Sequence, residues 1–344
     1  MTDRKLLIDV GSSSVKWAET SVGYGLTKGG SLPFPDRTVS EEPFYEVPRE
    51  KVISVVREIV DGSDAESVFI SVQMHGWLLA DGEGNALTEY VSWRDGRGGL
   101  LPYGFGLSPE NGVKLKPNLP RASVAVTEKL FPEKTAKAKK FFTLGSYIAY
   151  RLTGRNVTHI TDAAASGFYN ARTAEPVSCR LELPEATRGV EVAGDYRGKR
   201  VFTPVGDQQA AIFGSGASED SYILNLGTAA QMCAVENSFA VGEYESRPYF
   251  RGKTLCTVTN LPGGGYLSLH AAEEGLVSRL AGQYLTAISA LPKKSFLSVT
   301  GGTPRYYGSL FSSVFAEMGM KTVISGEKTE GLTGLKKLSE ECCL

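Results

Sequence analysis

The opening run Leu6-Leu7-Ile8-Asp9-Val10 is continuously apolar except for one carboxylate, the pattern of a short strand buried on both faces. It stops at Gly11-Ser12-Ser13-Ser14 and resumes at Val15–Ala18, which predicts a hairpin with a glycine- and hydroxyl-rich turn. Residues 21–46, rich in Gly, Pro and Ser, predict a meander. Val52, Val55, Val56 and Ile59 recur at helical spacing and predict a helix over 49–60. Val68–Val72 reads as a core strand running into Gln73-Met74-His75-Gly76. Residues 98–122 read as loop. Helices are expected over 124–140 and 141–152, the second closed by Thr153-Gly154, and 171–200 is expected to be irregular. A strand at Val201–Thr203 leads into Gly206-Asp207-Gln208-Gln209.

The second half repeats the opening. Tyr222-Ile223-Leu224-Asn225-Leu226 ends at Gly227-Thr228, and Asn225 lies 216 positions after Asp9, as Gly227 does after Gly11. Strands are expected at Cys256–Asn260, Tyr266–Leu269 and Phe296–Val299, and helices over 273–290 and 304–318. Strands alternating with helices in both halves give an α/β fold. Two matched turns, each offering glycine and hydroxyls, could clasp one polyphosphate from both sides; two ordinary hairpins are the plainer alternative.

Composition narrows the class. A chain of 344 residues is long enough for two domains, and 42% hydrophobic with 22% charged residues is an ordinary globular balance. The formal net charge of -1 argues against nucleic acid or an anionic membrane as the main partner. Five scattered cysteines and three histidines support neither a disulfide framework nor a zinc site. The start Met1-Thr2-Asp3-Arg4-Lys5 has no signal-like apolar stretch, and no apolar run would span a membrane, so a cytoplasmic protein is expected.

At the first turn, Gly11 admits close approach, and exposed N–H groups with the Ser12, Ser13 and Ser14 hydroxyls can bind phosphate oxygens. A carboxylate beside such a cradle repels phosphate unless a cation intervenes, so Asp9 implies Mg2+; capping of the turn is its plainer role. Neither a Walker loop nor a G-x-G-x-x-G fingerprint is present, which points to a hairpin-based grip of the actin and hexokinase type.

Several segments, in order, resemble the FGGY family of carbohydrate kinases. Asp9–Lys16 is similar to its first phosphate motif, Ser71–Gly76 to its sugar-site GQMHG, and Ser92–Arg97 to its W-x-D-x-R motif. Thr161–Gly167 is similar to its TDxxxAS segment and Gly206–Ala211 to its catalytic-base motif. Leu226-Gly227-Thr228 and Thr300-Gly301-Gly302 resemble its second phosphate and adenosine motifs. The run Arg247-Pro248-Tyr249-Phe250 looks most like sedoheptulokinases, while Gln73-Met74-His75 is shared with xylulokinases. The chain is shorter than the family, with the missing length expected between Gly265 and Phe296, and Glu330–Leu335 matches the family's C-terminal helix poorly.

The resemblance implies a two-domain actin/hexokinase-type (ribonuclease H-like) fold with a cleft, divided at 1–217 and 218–344. It implies ATP and Mg2+ as cofactors and a ketose as the small-molecule substrate, with no partner beyond a homodimer. Asp207 would be the catalytic base, an Asp with a pKa near ~4 sufficing if the proton moves late; capping the following helix is its plainer role. Met74, His75, Trp93, Asp95, Asp162 and Gln208 would contact the sugar. Gly11, Ser12, Ser13, Ser14, Lys16, Gly227, Thr228, Gly301 and Gly302 would hold the nucleotide, and Asp9 the metal. A polyol kinase and a non-catalytic sugar or nucleotide sensor are the alternatives.

Overall fold

The computed structural model describes residues 4–342 apart from 22, 39–40, 103, 105, 108–113, 228, 271, 304–305 and 328, with 106–107 and 114–115 described by backbone alone. The opening apolar run forms strand Arg4–Val10, which pairs antiparallel with Ser14–Ser21 and parallel with Ser67–Val72. Leu6, Leu7, Ile8 and Val10 are all fully buried, as a strand covered on both faces requires. These are the centre of a seven-stranded sheet that ends at Gly29–Pro33 on one side and Val192–Tyr196 on the other. The short strand Val205–Gly206, which delivers Asp207, also pairs with Ser67–Val72.

A six-stranded sheet repeats the theme. Strand Ser221–Leu226 pairs antiparallel with Ala230–Glu236 and parallel with Phe296–Thr300. The repeat extends to side chains. Asp9 sits opposite Ser71 and accepts its hydroxyl at 2.7 Å; Asn225 sits opposite Thr300 and donates to its hydroxyl at 3.1 Å.

Each sheet has an outer layer of helices. Helix Arg49–Asp61 buries Val52, Ile53, Val56, Ile59 and Val60 against the first sheet, beside helix Leu144–Thr153. Helices Leu276–Ala290 and Gly308–Met318 cover the second. Between the sheets run helix Asp207–Ser215 and the closing helix Glu330–Glu341. Leu332, Leu335 and Leu338 of the closing helix share one core with Leu7 and Phe69 of the first sheet and Ile223 and Leu255 of the second. The two inner helices touch backbone to backbone. A Cβ on Gly214 would stand 1.8 Å from the Glu330 carbonyl oxygen, and one on Gly334 would stand 1.9 Å from that of Ala210. Lys5 Nζ, buried in the first strand, donates to the Ser339 carbonyl at 2.6 Å and ties down the closing helix's last turn.

Several sequence expectations are corrected. The two helices expected over 124–152 are helix Pro120–Leu130, a short turn at Pro132–Thr135, strand Lys140–Thr143 and helix Leu144–Thr153. Phe141 and Phe142 are apolar at adjacent positions because they pair with Leu79 and Leu78 in a strand buried on both faces. The Thr143 hydroxyl then accepts from Ser146 N at 3.0 Å and starts the helix. Tyr266–Leu269 is not a strand but part of helix Gly264–His270: Leu267 is 0% exposed and Leu269 80%, whereas a half-buried strand would put both on one face. The helices expected from 273 and 304 begin at Leu276 and Gly308, the former after Gly275 at φ 72. The stretch 171–200 contains strands Glu185–Thr187 and Val192–Tyr196. Glu330–Leu335 forms a helix despite its poor motif match; its Gly334 packs on the Ala210 carbonyl of the Asp207 helix and its Gly331 on the Asp9 carboxylate.

Candidate active site

A cleft of about 520 Å³ opens where the strand ends of the two sheets face each other. It collects Asp9, Gly11, Ser12 and Lys16 from the first turn, Met74, His75 and Trp93 from the first half, and Asp207 and Gln208 from the head of the inner helix. Gly301 and Gly302 close its other end.

Asp207 is the first residue of helix Asp207–Ser215, and its Oδ1 accepts from Gln208 N at 2.8 Å. Burial, with the Asp9 charge second, pushes its carboxyl up to about 7. The ordinary aspartate value anticipated from the sequence is thereby corrected: this group is half-ionised near neutral pH. Burial also raises Asp9, against the opposing Ser71 hydroxyl and Lys16 charge. The carboxylate of Asp9 lies against the first turn of the closing helix, where a Cβ on Gly331 would come within 2.9 Å of Oδ2.

His75 holds a left-handed backbone (φ 64), and its Nδ1 lies 2.8 Å from the Ala165 carbonyl oxygen. A carbonyl only accepts, so Nδ1 carries the proton and Nε2 is left as an acceptor. Burial, aided by the Arg247 charge, lowers its pKa to about 3, so the ring is neutral. Gly76 and Gly206 have no room for side chains, since a Cβ would meet Tyr90 Oη at 2.1 Å and Met74 Sδ at 2.6 Å respectively.

Asp95 and Asp162 do not line this cleft. Asp95 is buried with both oxygens on Arg97, at 2.8 Å from Nε and 2.7 Å from Nη2, and it also accepts from Tyr45 N. Asp162 accepts from the Thr143 and Thr158 hydroxyls at 2.5 and 2.9 Å, joining the head of helix Leu144–Thr153 to its neighbour; burial raises its pKa to about 6. Both Asp95 oxygens are taken by protein donors, and Asp162 accepts both hydroxyls on Oδ2, so the structure places neither expected sugar contact on the cleft wall. Ser13, Ser14 and Gly227 act through the backbone: Ser14 O accepts from Gly11 N to close the first turn, Ser13 O accepts from Phe34 N, and Gly227 O accepts from Gly264 N and the Thr303 hydroxyl. Thr228 and Pro304 lie outside the described residues. Gly301, at φ 91, could carry no side chain against the Leu226 carbonyl and donates its N–H to Glu330 at 3.2 Å.

Sequence reasoning missed a charged group on the cleft wall. Glu245 pairs with Lys116 and, at 2.7 Å, with Arg247, whose other arm donates to Gln208 Oε1 at 2.5 Å. The two cations outweigh the cost of burial and hold Glu245 down to about 2. Gln208 Nε2 donates in turn to Gln231 Oε1 at 2.5 Å. Lys116 comes from the first half of the chain and Glu245 from the second sheet, so this group bridges the cleft. No motif flags Lys116; Arg247 drew notice only as a mark of kinship.

Residues 42–183 match the FGGY family of carbohydrate kinases, N-terminal domain. The chain is 28% identical over 199 residues to a xylulose kinase of Streptomyces rubiginosus, covering 50% of this chain and 41% of that protein. It is 25% identical over 192 residues to a gluconokinase of Bacillus licheniformis, covering 50% and 36%. The matched stretch thus spans about two-fifths of the length of these curated relatives. The solved structure of a ligand-bound xylulose kinase from Lactobacillus acidophilus superposes with a TM-score of 0.86 at 16% identity, over 98% of this chain and 89% of that one. Among the described residues no helix is long and apolar enough to cross a membrane. Residues 42–183 thus match the N-terminal domain of the FGGY carbohydrate kinases, and the chain as a whole has the two-domain actin/hexokinase-like fold of the solved sugar kinases it superposes on.

Proposed function

We propose that this protein transfers the γ-phosphate of MgATP to a primary hydroxyl of a ketose of the xylulose or sedoheptulose kind. The observation that carries the reading is the position of Asp207, in one cleft between a sugar-binding end and a phosphate-binding end. At the first end, Met74 and Trp93 offer apolar faces, and His75 Nε2 accepts from a sugar hydroxyl. At the second, Gly11, Ser12 and Lys16 meet the phosphates while Gly301 and Gly302 flank the adenosine. Asp207, with a pKa near the working pH, takes the proton of the attacking hydroxyl as the oxygen–phosphorus bond forms. Gln208 is held by Arg247 and Gln231, so its amide is oriented before any sugar arrives.

The residues fit a magnesium ion carried in by the nucleotide. Asp9 and Asp207 face one cleft and repel each other, as the raised Asp207 pKa records, and a cation beside Asp9 relieves that repulsion. Among the described residues no cluster of three or more His, Cys, Asp or Glu side chains could hold a metal alone, which suits an ion bound largely through phosphate oxygens and water. When bound, the ion neutralises charge on the transferring phosphoryl group.

The ketose assignment rests on Gln73-Met74-His75 and on kinship with xylulose kinases. The same reading makes the protein cytoplasmic, divides it near 217/218 and needs no partner beyond a second copy of itself. Asp207→Ala should abolish ADP release with MgATP and ketose while calorimetry still detects sugar binding. Parallel loss of both would assign Asp207 a different role.

A further inference from the structure

The cleft wall is short of positive charge for a polyphosphate. Among the described residues its cations are Lys16, Lys116 and Arg247, and the last two already pair with Glu245. Asp9, Asp207, Glu327 and Glu330 line the same cleft, so on the wall itself the nucleotide meets the ammonium of Lys16 among four carboxyl groups.

Arg94 brings a further cation to the rim. It follows Trp93, which lines the cleft, and its side chain is exposed. That side chain is nevertheless held in place. Nη1 donates to the Tyr45 hydroxyl at 3.1 Å, and the guanidinium lies 5.5 Å from the centre of the Tyr45 ring and 5.4 Å from that of the Trp93 ring. Nη2 reaches the Ser12 hydroxyl, in the phosphate-binding turn, at 3.4 Å. Ser12 lines the cleft too, so the guanidinium sits where the Trp93 segment meets the phosphate turn. Among the described residues no carboxylate partners it, whereas nearby Arg97 is held by Asp95 and Glu46, and Arg37 by Glu42. A guanidinium braced on two rings at the edge of a phosphate cradle, with no anion of its own, presents a planar fork of donors that suits phosphate oxygens.

We propose that Arg94 is a further catalytic residue, donating to the γ-phosphoryl oxygens of the nucleotide beside Ser12. The inference rests on the kinase reading, and its test separates the two. In the step, a bond forms between the sugar hydroxyl oxygen and phosphorus. The bond from that phosphorus to the ADP oxygen breaks, its electron pair leaving with ADP, and the hydroxyl proton goes to Asp207. Arg94 keeps its own protons and stabilises charge on the oxygens in transit.

The test uses the full chain in two measurements. Calorimetric titration compares MgADP with the magnesium complex of the β,γ-imido analogue of ATP, which keeps the third phosphate, and coupled ADP release follows turnover of xylulose and sedoheptulose. Arg94→Met removes the charge and the fork at an exposed position, and a thermal melt checks that the variant is folded. It should weaken the imido analogue by about tenfold or more, the scale of one lost hydrogen bond to a charged group, and leave MgADP and sugar affinity unchanged. It should also lower kcat by about a hundredfold, the scale of one lost donor to a developing charge. Unchanged affinity for the imido analogue, or an equal loss of MgADP or sugar, would overturn the proposal. An unaltered kcat would overturn it as well and leave the kinase reading intact. Failure of the unaltered protein to bind the imido analogue would overturn both. A loss confined to the third phosphate, in a protein that phosphorylates neither ketose, would leave the phosphate contact standing and refute the kinase reading.

Discussion

The Asp207 carboxyl turns the site's electrostatics into a rate that depends on pH. With a pKa raised to about 7, it is ionised in about one molecule in eleven at pH 6 and about ten in eleven at pH 8. Only the ionised form can accept the hydroxyl proton, so the rate must rise with pH through this window. The expected rise is about tenfold between pH 6 and pH 8. The assay is coupled ADP release with sugar and MgATP both well below saturation, so that the rate reports ionisations of the free protein, and with Mg2+ in excess. An aspartate at the ordinary value of about 4 would be fully ionised across this range and would give a flat profile. A flat profile between pH 6 and pH 8 would therefore refute the claim that burial and Asp9 poise this group for its task.

Other perturbations test the surrounding framework. Glu245→Gln leaves Lys116 and Arg247 facing each other without their shared anion and should cost about 3 kcal/mol of unfolding free energy, as breaking a buried pair does, while raising the sugar KM; an unchanged denaturation midpoint would contradict the bridge. Asp95→Asn strips the buried Arg97 of its carboxylate and should lower the melting temperature with little change in sugar KM, whereas a large KM effect at unchanged stability would restore Asp95 as a sugar contact. Gly334→Ala should lower the melting temperature, because its Cβ would stand 1.9 Å from a backbone oxygen that cannot yield unless the two inner helices part; the overpacking cost is about 1–3 kcal/mol, and a neutral substitution would mean that the helices do not meet in this way.

The hairpin turn after Asp9 and the turn that carries Asp207 were legible as turns because they are continuous in sequence: Asp9–Lys16, Gln73–His75 and Gly206–Gln208 each bring strand end and turn within a few residues. The repeat at Asn225–Gly227 was legible for the same reason, and it extends to the paired Asp9–Ser71 and Asn225–Thr300 contacts. What could not be read depends on neighbours distant in sequence. Asp95 and Asp162 carry motif positions that fit a sugar contact, but Arg97 takes both oxygens of the first, and Thr143 with Thr158 hold Oδ2 of the second away from the cleft wall. Lys116 and Glu245 are ordinary charges until the fold sets them across the cleft. The strand Lys140–Thr143 was mistaken for helix because two adjacent phenylalanines suit either period; pairing with Leu78 and Leu79 decides the matter. Gly334 interrupts the closing segment's pattern, yet the fold needs glycine there for backbone contact.

The central claim is tested most directly by coupled ADP release from MgATP with the folded protein against xylulose, ribulose, sedoheptulose, gluconate and glycerol. The account predicts turnover with a ketose and none after Asp207→Ala. Silence toward every ketose, or turnover with glycerol or gluconate alone, would contradict it.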